Sequence, residues 1–139
     1  MLLKDNLMDT QHLAIFVTDV ERSRKFYEQF GFTEKLSDQI PMEPEPVKLL
    51  FMELNNLTLE LVELGGDMRK QIAAREDGHI DHVALNVKDI DKAYAEMTAA
   101  GFKALEEDAP VFLPLWDNGT KYFTVRGPDG EKIEFSQIL

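Results

Sequence analysis

The sequence contains no cysteine, and this absence excludes several kinds of chemistry. Without thiols, the 139-residue chain forms no disulfide, offers no thiolate to a metal and has no cysteine nucleophile. Basic residues are also few, since 15 Lys and Arg stand against 26 Asp and Glu and give a formal net charge of -11. Because this charge repels phosphate backbones and anionic lipid, we expect no nucleic acid partner and no membrane partner.

Long hydrophobic runs are missing as well. The first residues carry no apolar stretch of the kind found in a signal peptide or a membrane span, so we expect a cytoplasmic protein. Hydrophobic residues nevertheless make up 44% of the chain, which is enough to form the core of a single domain over residues 1–139.

The sequence repeats itself at an offset of 70 residues, from His12 to His82. Residues 12–19, HLAIFVTD, correspond to residues 82–89, HVALNVKD. In both copies a Gly-Phe pair follows at the same distance, at Gly31 and at Gly101. A repeat of this kind predicts two structurally equivalent modules.

Each copy predicts a strand, then a helix, then three more strands. Asp19 and Asp89 are suited to cap the helices, and Gly31 and Gly101 are suited to end them in a left-handed conformation. Turns are predicted at Asn55-Asn56 and at residues 127–130, Gly-Pro-Asp-Gly. The later strands are predicted at about 32–37, 47–54 and 57–63 in the first copy and at about 102–106, 120–126 and 131–138 in the second.

The predicted fold class is α+β, with two βαβββ modules that form a curled mixed sheet with a metal-containing cleft. The first module covers residues 10–64 and the second covers residues 81–139. A linker over residues 65–80 is expected to contain a short helix at about 67–76. Residues 38–46 and 107–119 are predicted as irregular loops at equivalent points, where loops often cover a site.

Strand alternation decides which side chains can meet, because successive residues point to opposite faces. In the first strand Leu13, Ile15 and Val17 share the face expected to meet the helix, and the preceding histidine points to the other face. The same alternation turns one histidine and one glutamate of each module away from its helix, namely His12, Glu60, His82 and Glu134.

These four side chains predict a site for one divalent cation. If the modules are related by a pseudo-twofold axis, the helix-free faces line a shared cleft. Two carboxylates there would suffer desolvation and mutual repulsion, and a 2+ ion balances their total charge of -2. Nitrogen and oxygen ligands without sulfur suit Zn, Ni, Co, Fe or Mn.

The chain resembles the vicinal oxygen chelate superfamily, which includes glyoxalase I, methylmalonyl-CoA epimerase, extradiol dioxygenases and bleomycin-resistance proteins. The resemblance covers residues 12–137 and rests on four motifs: HLAI at 12–15 with Asp19, LELV at 59–62, HVAL at 82–85 with Asp89, and GPDGEKIEF at 127–135. It implies that His12, Glu60, His82 and Glu134 occupy the four metal-ligand positions of glyoxalase I.

The resemblance also implies a lyase or isomerase of the glyoxalase I type, similar to lactoylglutathione lyase. In such enzymes a proton moves next to a carbonyl through a metal-stabilised enediolate. Glu134 is then the first choice of base and Glu60 its partner on the other face of the substrate. The carboxylate at Glu60 favours these isomerases over extradiol dioxygenases, which usually lack it.

The substrate is expected to be a small carbonyl compound other than plain glutathione hemithioacetal. Phe16 and Leu64 stand where glyoxalase I has the Arg and Asn that bind glutathione. The linker is more similar to that of methylmalonyl-CoA epimerase, which makes an epimerase the alternative. Candidate substrate-binding residues are Phe16, Trp116 and Phe123. The sequence shows no basic cluster to meet the phosphates of a CoA ester, although five basic residues could gather in space: Lys48, Arg69, Lys70, Arg75 and Lys121.

A third hypothesis is a small-molecule binding or resistance protein without catalysis. Family members of that kind generally lack the four ligands, so their presence here favours an enzyme. We also expect a homodimer, because a dimer covers exposed sheet edges. The metal site then lies within one chain or is shared between two, and the sequence leaves both arrangements open.

Overall fold

The computed structural model of the protein describes residues 1–29, 31–76, 80–126 and 132–139. Its elements confirm the α+β class and both βαβββ modules, with a short helix between them. None of the helices in these ranges is both long and apolar enough to cross a bilayer. In chain order the elements are β1 (Leu7–Val17), α1 (Val20–Glu28), β2 (Thr33–Ile40), β3 (Val47–Leu54), β4 (Leu57–Glu63), α2 (Gly66–Ala73), β5 (Ile80–Val87), α3 (Ile90–Ala99), β6 (Val111–Leu113), β7 (Thr120–Arg126) and β8 (Lys132–Ile138).

The chain divides into a central unit, residues 12–81, and a terminal unit, residues 1–11 and 82–139. In the central unit the strand order is β2-β3-β4-β1, with β1 parallel to β4 and the other pairs antiparallel. In the terminal unit the order β6-β7-β8-β5 repeats this pattern, with β5 parallel to β8. The repeat seen in the sequence is therefore a repeat of strand topology.

The predicted ends of the two main helices are confirmed. The Asp19 carboxylate accepts a hydrogen bond from the backbone N–H of Arg22 at 2.9 Å, and Asp89 accepts one from Lys92 at 3.0 Å. The Arg22 bond holds the pKa of Asp19 below its usual value. Gly31 (φ 89°) and Gly101 (φ 91°) follow the helices in the left-handed region, where only glycine is unstrained.

The hydrophobic core of each unit lies on its helix side, as strand alternation predicts. In the central unit Leu13, Ile15 and Val17 pack against buried residues of α1, β3 and β4. In the terminal unit the corresponding cluster joins β5, α3, β7 and β8. It includes Val87, Ile90, Ala93, Met97, Phe123, Val125 and Phe135.

A side chain from the last strand of each module also holds the first turn of the helix. Glu63 accepts a hydrogen bond from the backbone N–H of Val20 at 2.8 Å, and Gln137 accepts one from Ile90 at 2.9 Å. Glu63 is only 5% exposed and also accepts from Lys48 and from Arg69, at 3.0 and 3.1 Å. Its carboxylate thus joins α1, β3, β4 and α2.

Replacing Glu63 with Ala is expected to lower the free energy of unfolding by about 1 to 3 kcal/mol, because the buried Val20 N–H loses its acceptor. Glu63→Gln should lose less, since an amide oxygen fills the equivalent place at Gln137. Urea denaturation measures both, with the more exposed Glu53, paired with Lys35, replaced by Ala as the control. Equal stability of the Glu63→Ala variant and the parent would contradict the assignment.

The predicted strand at 102–106 is wrong, and β6 at Val111–Leu113 pairs with β7 instead, inside a segment predicted to be irregular. At 105–106 only one backbone bond is made to β7, from the Leu105 N–H to the Thr124 carbonyl. The Glu106 carboxylate accepts from the Thr124 N–H, so no ladder forms there. β2 also extends to Ile40, beyond its predicted end. The predicted turn at 127–130 lies outside the described residues.

Candidate functional site

The central unit carries a buried histidine and glutamate side by side on its helix-free face. His12 lies on β1 and Glu60 on β4, where Glu60 is the register partner of Ala14. The Nε2 atom of His12 is 3.1 Å from Oε2 of Glu60, and both residues are buried. Phe51, the cross-strand neighbour of Glu60, packs its ring edge-on against the imidazole with centroids 5.5 Å apart.

The terminal unit carries the same pair at the same register. Glu134 on β8 is the partner of Ala84 on β5, just as Glu60 is the partner of Ala14. The Nε2 atom of His82 is 3.3 Å from Oε2 of Glu134, and the Glu134 residue is 9% exposed. The structure therefore places each predicted histidine beside its predicted glutamate.

Within each pair, the distance between the two atoms fits neighbouring ligands of a divalent ion. Two ligand atoms that each lie about 2.1 Å from an ion are about 3.0 Å apart in an octahedral site and about 3.4 Å apart in a tetrahedral one. The observed 3.1 and 3.3 Å fall within this range. His12 and Glu60 also belong to a group of His and carboxylate side chains placed closely enough to hold a metal ion.

The side chains around the two pairs differ in polarity. In the central unit the neighbours toward the end of β4 are apolar, with Phe51 opposite Glu60 and Leu49 opposite Val62, and Thr58 lies opposite Glu53 toward its start. In the terminal unit they are hydroxyl-bearing: Thr124 lies opposite Glu134, and Tyr122 lies opposite Ser136. Beside its His–Glu pair, the helix-free face of the central unit therefore offers hydrophobic contact, and that of the terminal unit offers hydroxyl groups.

A polar network continues the hydroxyl-bearing face of the terminal unit. Asn86 on β5 accepts a hydrogen bond from the Gln11 amide at 2.8 Å and donates one to Asp9 at 2.6 Å. Thr120 donates to the Gln137 carbonyl at 2.9 Å. Tyr122 and Thr124 are not among the predicted site residues, although their alternation with apolar residues along β7 indicates which face they share.

Comparison with protein families gives one match that covers most of the chain. Residues 10–135 match the model of the Glyoxalase/Bleomycin resistance protein/Dioxygenase superfamily. The chain belongs to this superfamily. The match contains all four predicted ligands, so the resemblance to vicinal oxygen chelate proteins is confirmed.

Several individual proteins are similar to this superfamily member in sequence or in structure. The uncharacterized protein YwbC of Bacillus subtilis is 32% identical over 91% of this chain and 94% of its own length. Bovine mitochondrial methylmalonyl-CoA epimerase is 28% identical over 76% of this chain, which spans 62% of that enzyme. Streptomyces coelicolor methylmalonyl-CoA epimerase, solved with 2-nitronate-propionyl-CoA, shares the fold with a TM-score of 0.75, 21% identity and coverage of 94% and 97% of the two chains.

The three predicted aromatic substrate residues occupy different surroundings. Phe123 has no exposed surface and packs on the helix side, stacked on Phe135 and edge-on to Tyr94, so its position indicates a structural role. Phe16 is half-buried at the end of β1 and lines a cavity of the central unit. Trp116 is half-buried in the β6–β7 loop with φ of 67°.

Most of the basic side chains expected near a CoA ester are paired with carboxylates. Lys48 and Arg69 contact Glu63, and the remaining two pairs are Lys70 with Asp67 and Lys121 with Asp91. Arg75 is different, because it forms no ion pair or side-chain hydrogen bond with the described residues.

Proposed function

We propose that this protein is a divalent-metal-dependent isomerase, an epimerase that moves a proton at the carbon next to the carbonyl of an acyl-CoA thioester. The observation that carries the proposal is the pair of matched His–Glu contacts at 3.1 and 3.3 Å, in which three of the residues are buried and His82 is half-buried. The superfamily supplies the class of chemistry, and the methylmalonyl-CoA epimerases among the relatives supply the class of substrate.

Four residues are proposed to hold the ion: His12 and Glu60 from the central unit, and His82 and Glu134 from the terminal unit. Two neutral imidazoles and two carboxylates balance a 2+ charge, and they suit Zn, Ni, Co, Fe or Mn. A bound divalent cation supplies positive charge that lowers the cost of negative charge on the carbonyl oxygen of the substrate.

Epimerisation needs groups that remove and return a proton on opposite faces of one carbon. Glu134 is proposed as the main base and Glu60 as its partner, because the two hold equivalent positions in the repeat. The differing neighbours of the two pairs suit a substrate with an apolar part and a polar part. Phe51 and Leu49 would contact the former, and Thr124 and Tyr122 the latter.

A glyoxalase-type lyase is the second candidate, because His or Glu is present at all four ligand positions of glyoxalase I. The apolar residues Phe16 and Leu64 argue against glutathione as its thiol, since neither can pair with a carboxylate. The largely buried His–Glu pairs argue against a binding protein without catalysis, because taking two carboxylates out of water is costly unless a cation or another partner balances their charge.

Proton exchange tests the proposal directly. In deuterated buffer, protein loaded with Ni, Co or Zn is expected to exchange the α-proton of methylmalonyl-CoA for deuterium, followed by NMR. Methylglyoxal with several thiols is the matched panel for the lyase. Exchange without lyase turnover supports the epimerase. Lyase turnover without exchange would favour the glyoxalase-type lyase instead. If neither reaction occurs with any of the metals, the proposal that the protein is an enzyme of this type is refuted.

A further inference from the structure

The four arginines of the central unit fall into two classes. Arg24 forms ion pairs with Glu21 and Glu34, and Arg69 pairs with Glu45 and Glu63.

Arg22 and Arg75 form no ion pair with the carboxylates that the structure describes. Arg22 donates to the Thr18 hydroxyl at 2.6 Å, and its charge acts at longer range on the exposed capping carboxylate of Asp19, whose pKa it helps to lower. In a chain with 26 acidic residues against 15 basic ones, two arginines without a carboxylate partner are unexpected.

These two arginines line the same cavity. It has a volume of about 300 Å³ and lies between the end of β1, the first turn of α1 and the end of α2. Thr18 and Ser23 add hydroxyl groups to its wall, and Phe16 adds an aromatic ring. Two guanidinium groups beside two hydroxyls match the donors that recognise phosphate.

Phe16, which shares the face of His12 on β1, forms one wall of the cavity. It follows His12 by four residues, and a strand rises by roughly 3.3 Å per residue, so this wall lies about 13 Å from His12 along the strand. A substrate carboxylate attached to the reacting carbon would lie too close to the metal ligands to reach this wall. The distance suits an anionic group at the far end of an extended substrate.

The first turn of α1 does not supply this site, because its own groups are already satisfied. The Val20 N–H donates to Glu63, and the Arg22 N–H donates to Asp19. The second large cavity of the central unit, about 450 Å³, is lined by Glu43, Glu45 and Asp67 and repels anions. The arginine-lined cavity is therefore the better place for a negative group in this unit.

We propose that Arg22 and Arg75 form a subsite for a phosphate group carried by the substrate, with Thr18 and Ser23 as hydroxyl donors. The inference rests on the proposed function for its substrate class, a coenzyme A thioester whose phosphates lie far from the thioester carbonyl. In this way an acidic protein would meet a polyanionic substrate with two arginines that form no ion pair with the described carboxylates and that line one cavity.

Calorimetric titration with free coenzyme A tests the subsite without requiring turnover. Arg22→Gln and Arg75→Gln are each expected to weaken binding about 10- to 100-fold, the effect of losing a charge-assisted hydrogen bond. Pantetheine, which lacks phosphate, should bind the parent and both variants equally. Arg24→Gln on the same helix is the matched control and should bind coenzyme A as the parent does, and thermal unfolding verifies that all variants fold.

Each outcome decides for or against the subsite. Unchanged coenzyme A binding in both variants would overturn it, and so would equal affinity of the parent for coenzyme A and pantetheine. Titration with inorganic phosphate distinguishes a substrate subsite from a site for free anions. If phosphate binding depends on Arg75 and coenzyme A binding does not, the assignment would also be overturned. Arginine-dependent coenzyme A binding without α-proton exchange would uphold the subsite and refute the epimerase.

Discussion

Glu134→Gln is expected to lower kcat/KM for the proposed α-proton exchange by about 10²- to 10⁴-fold, the usual contribution of a positioned general base. The change removes the ability to accept a proton and keeps the size and one oxygen of the side chain. Glu134 lies on β8 beside His82, among packed strand residues, so the amide occupies the same place. The rate of deuterium incorporation at saturating metal measures the effect.

Two comparisons make this result specific to proton transfer. Glu28→Gln, on the exposed surface of α1, removes a carboxylate elsewhere and should leave the rate unchanged. Glu60→Gln should also reduce exchange, because the proposed partner loses its acid–base function. A fully active Glu134→Gln protein at saturating metal would remove Glu134 from the proposed mechanism.

Replacing either paired histidine with Ala is expected to weaken binding of the divalent ion by about 100-fold or more. Changes that only disturb the outer partners of a metal ligand already cost about 10- to 100-fold in affinity, and loss of a ligand should cost at least as much. Because His12 and His82 occupy equivalent positions in the repeat, both variants should lose affinity for the same ion. Competition with a metal-sensitive dye measures the affinity.

The third histidine supplies the matched control for this experiment. His79 lies outside the described residues and outside the proposed ligand set, so His79→Ala should retain the affinity of the parent. If His12→Ala abolished binding and His82→Ala left it unchanged, the ion would belong to the central unit alone. That result would contradict a site built from both modules.

The helix-side cores and the His–Glu pairs could be predicted because they depend on strand alternation and on the repeat. Alternation along β1 and β4 is unbroken, so the faces of Leu13 and of Glu60 followed from their positions alone. The same rule applied to β7 would have placed Phe123 on the helix side, where it lies opposite Phe135. Phe123 was instead selected for its aromatic ring, without regard to its face.

Other features depend on contacts that no local pattern contains. The strand predicted at 102–106 failed because the Glu106 side chain occupies the Thr124 N–H, an interaction across 18 residues. The arginine-lined cavity could not be predicted because Arg22 and Arg75 are 53 positions apart in sequence, so no local pattern brings them together. The sequence also does not show which arginines form ion pairs, as Arg24 and Arg69 do. The homodimer stays a prediction of the sequence analysis.

The stoichiometry of metal binding tests the central claim, that the two His–Glu pairs hold one ion together. Metal-free protein is titrated with Ni or Zn in a calorimeter, and the bound metal is checked by elemental analysis after dialysis. One tightly bound ion per chain is the predicted result, whether the pairs come from one chain or from two. Two equivalent ions per chain, one for each pair, or no ion retained with any of the candidate metals, would contradict it.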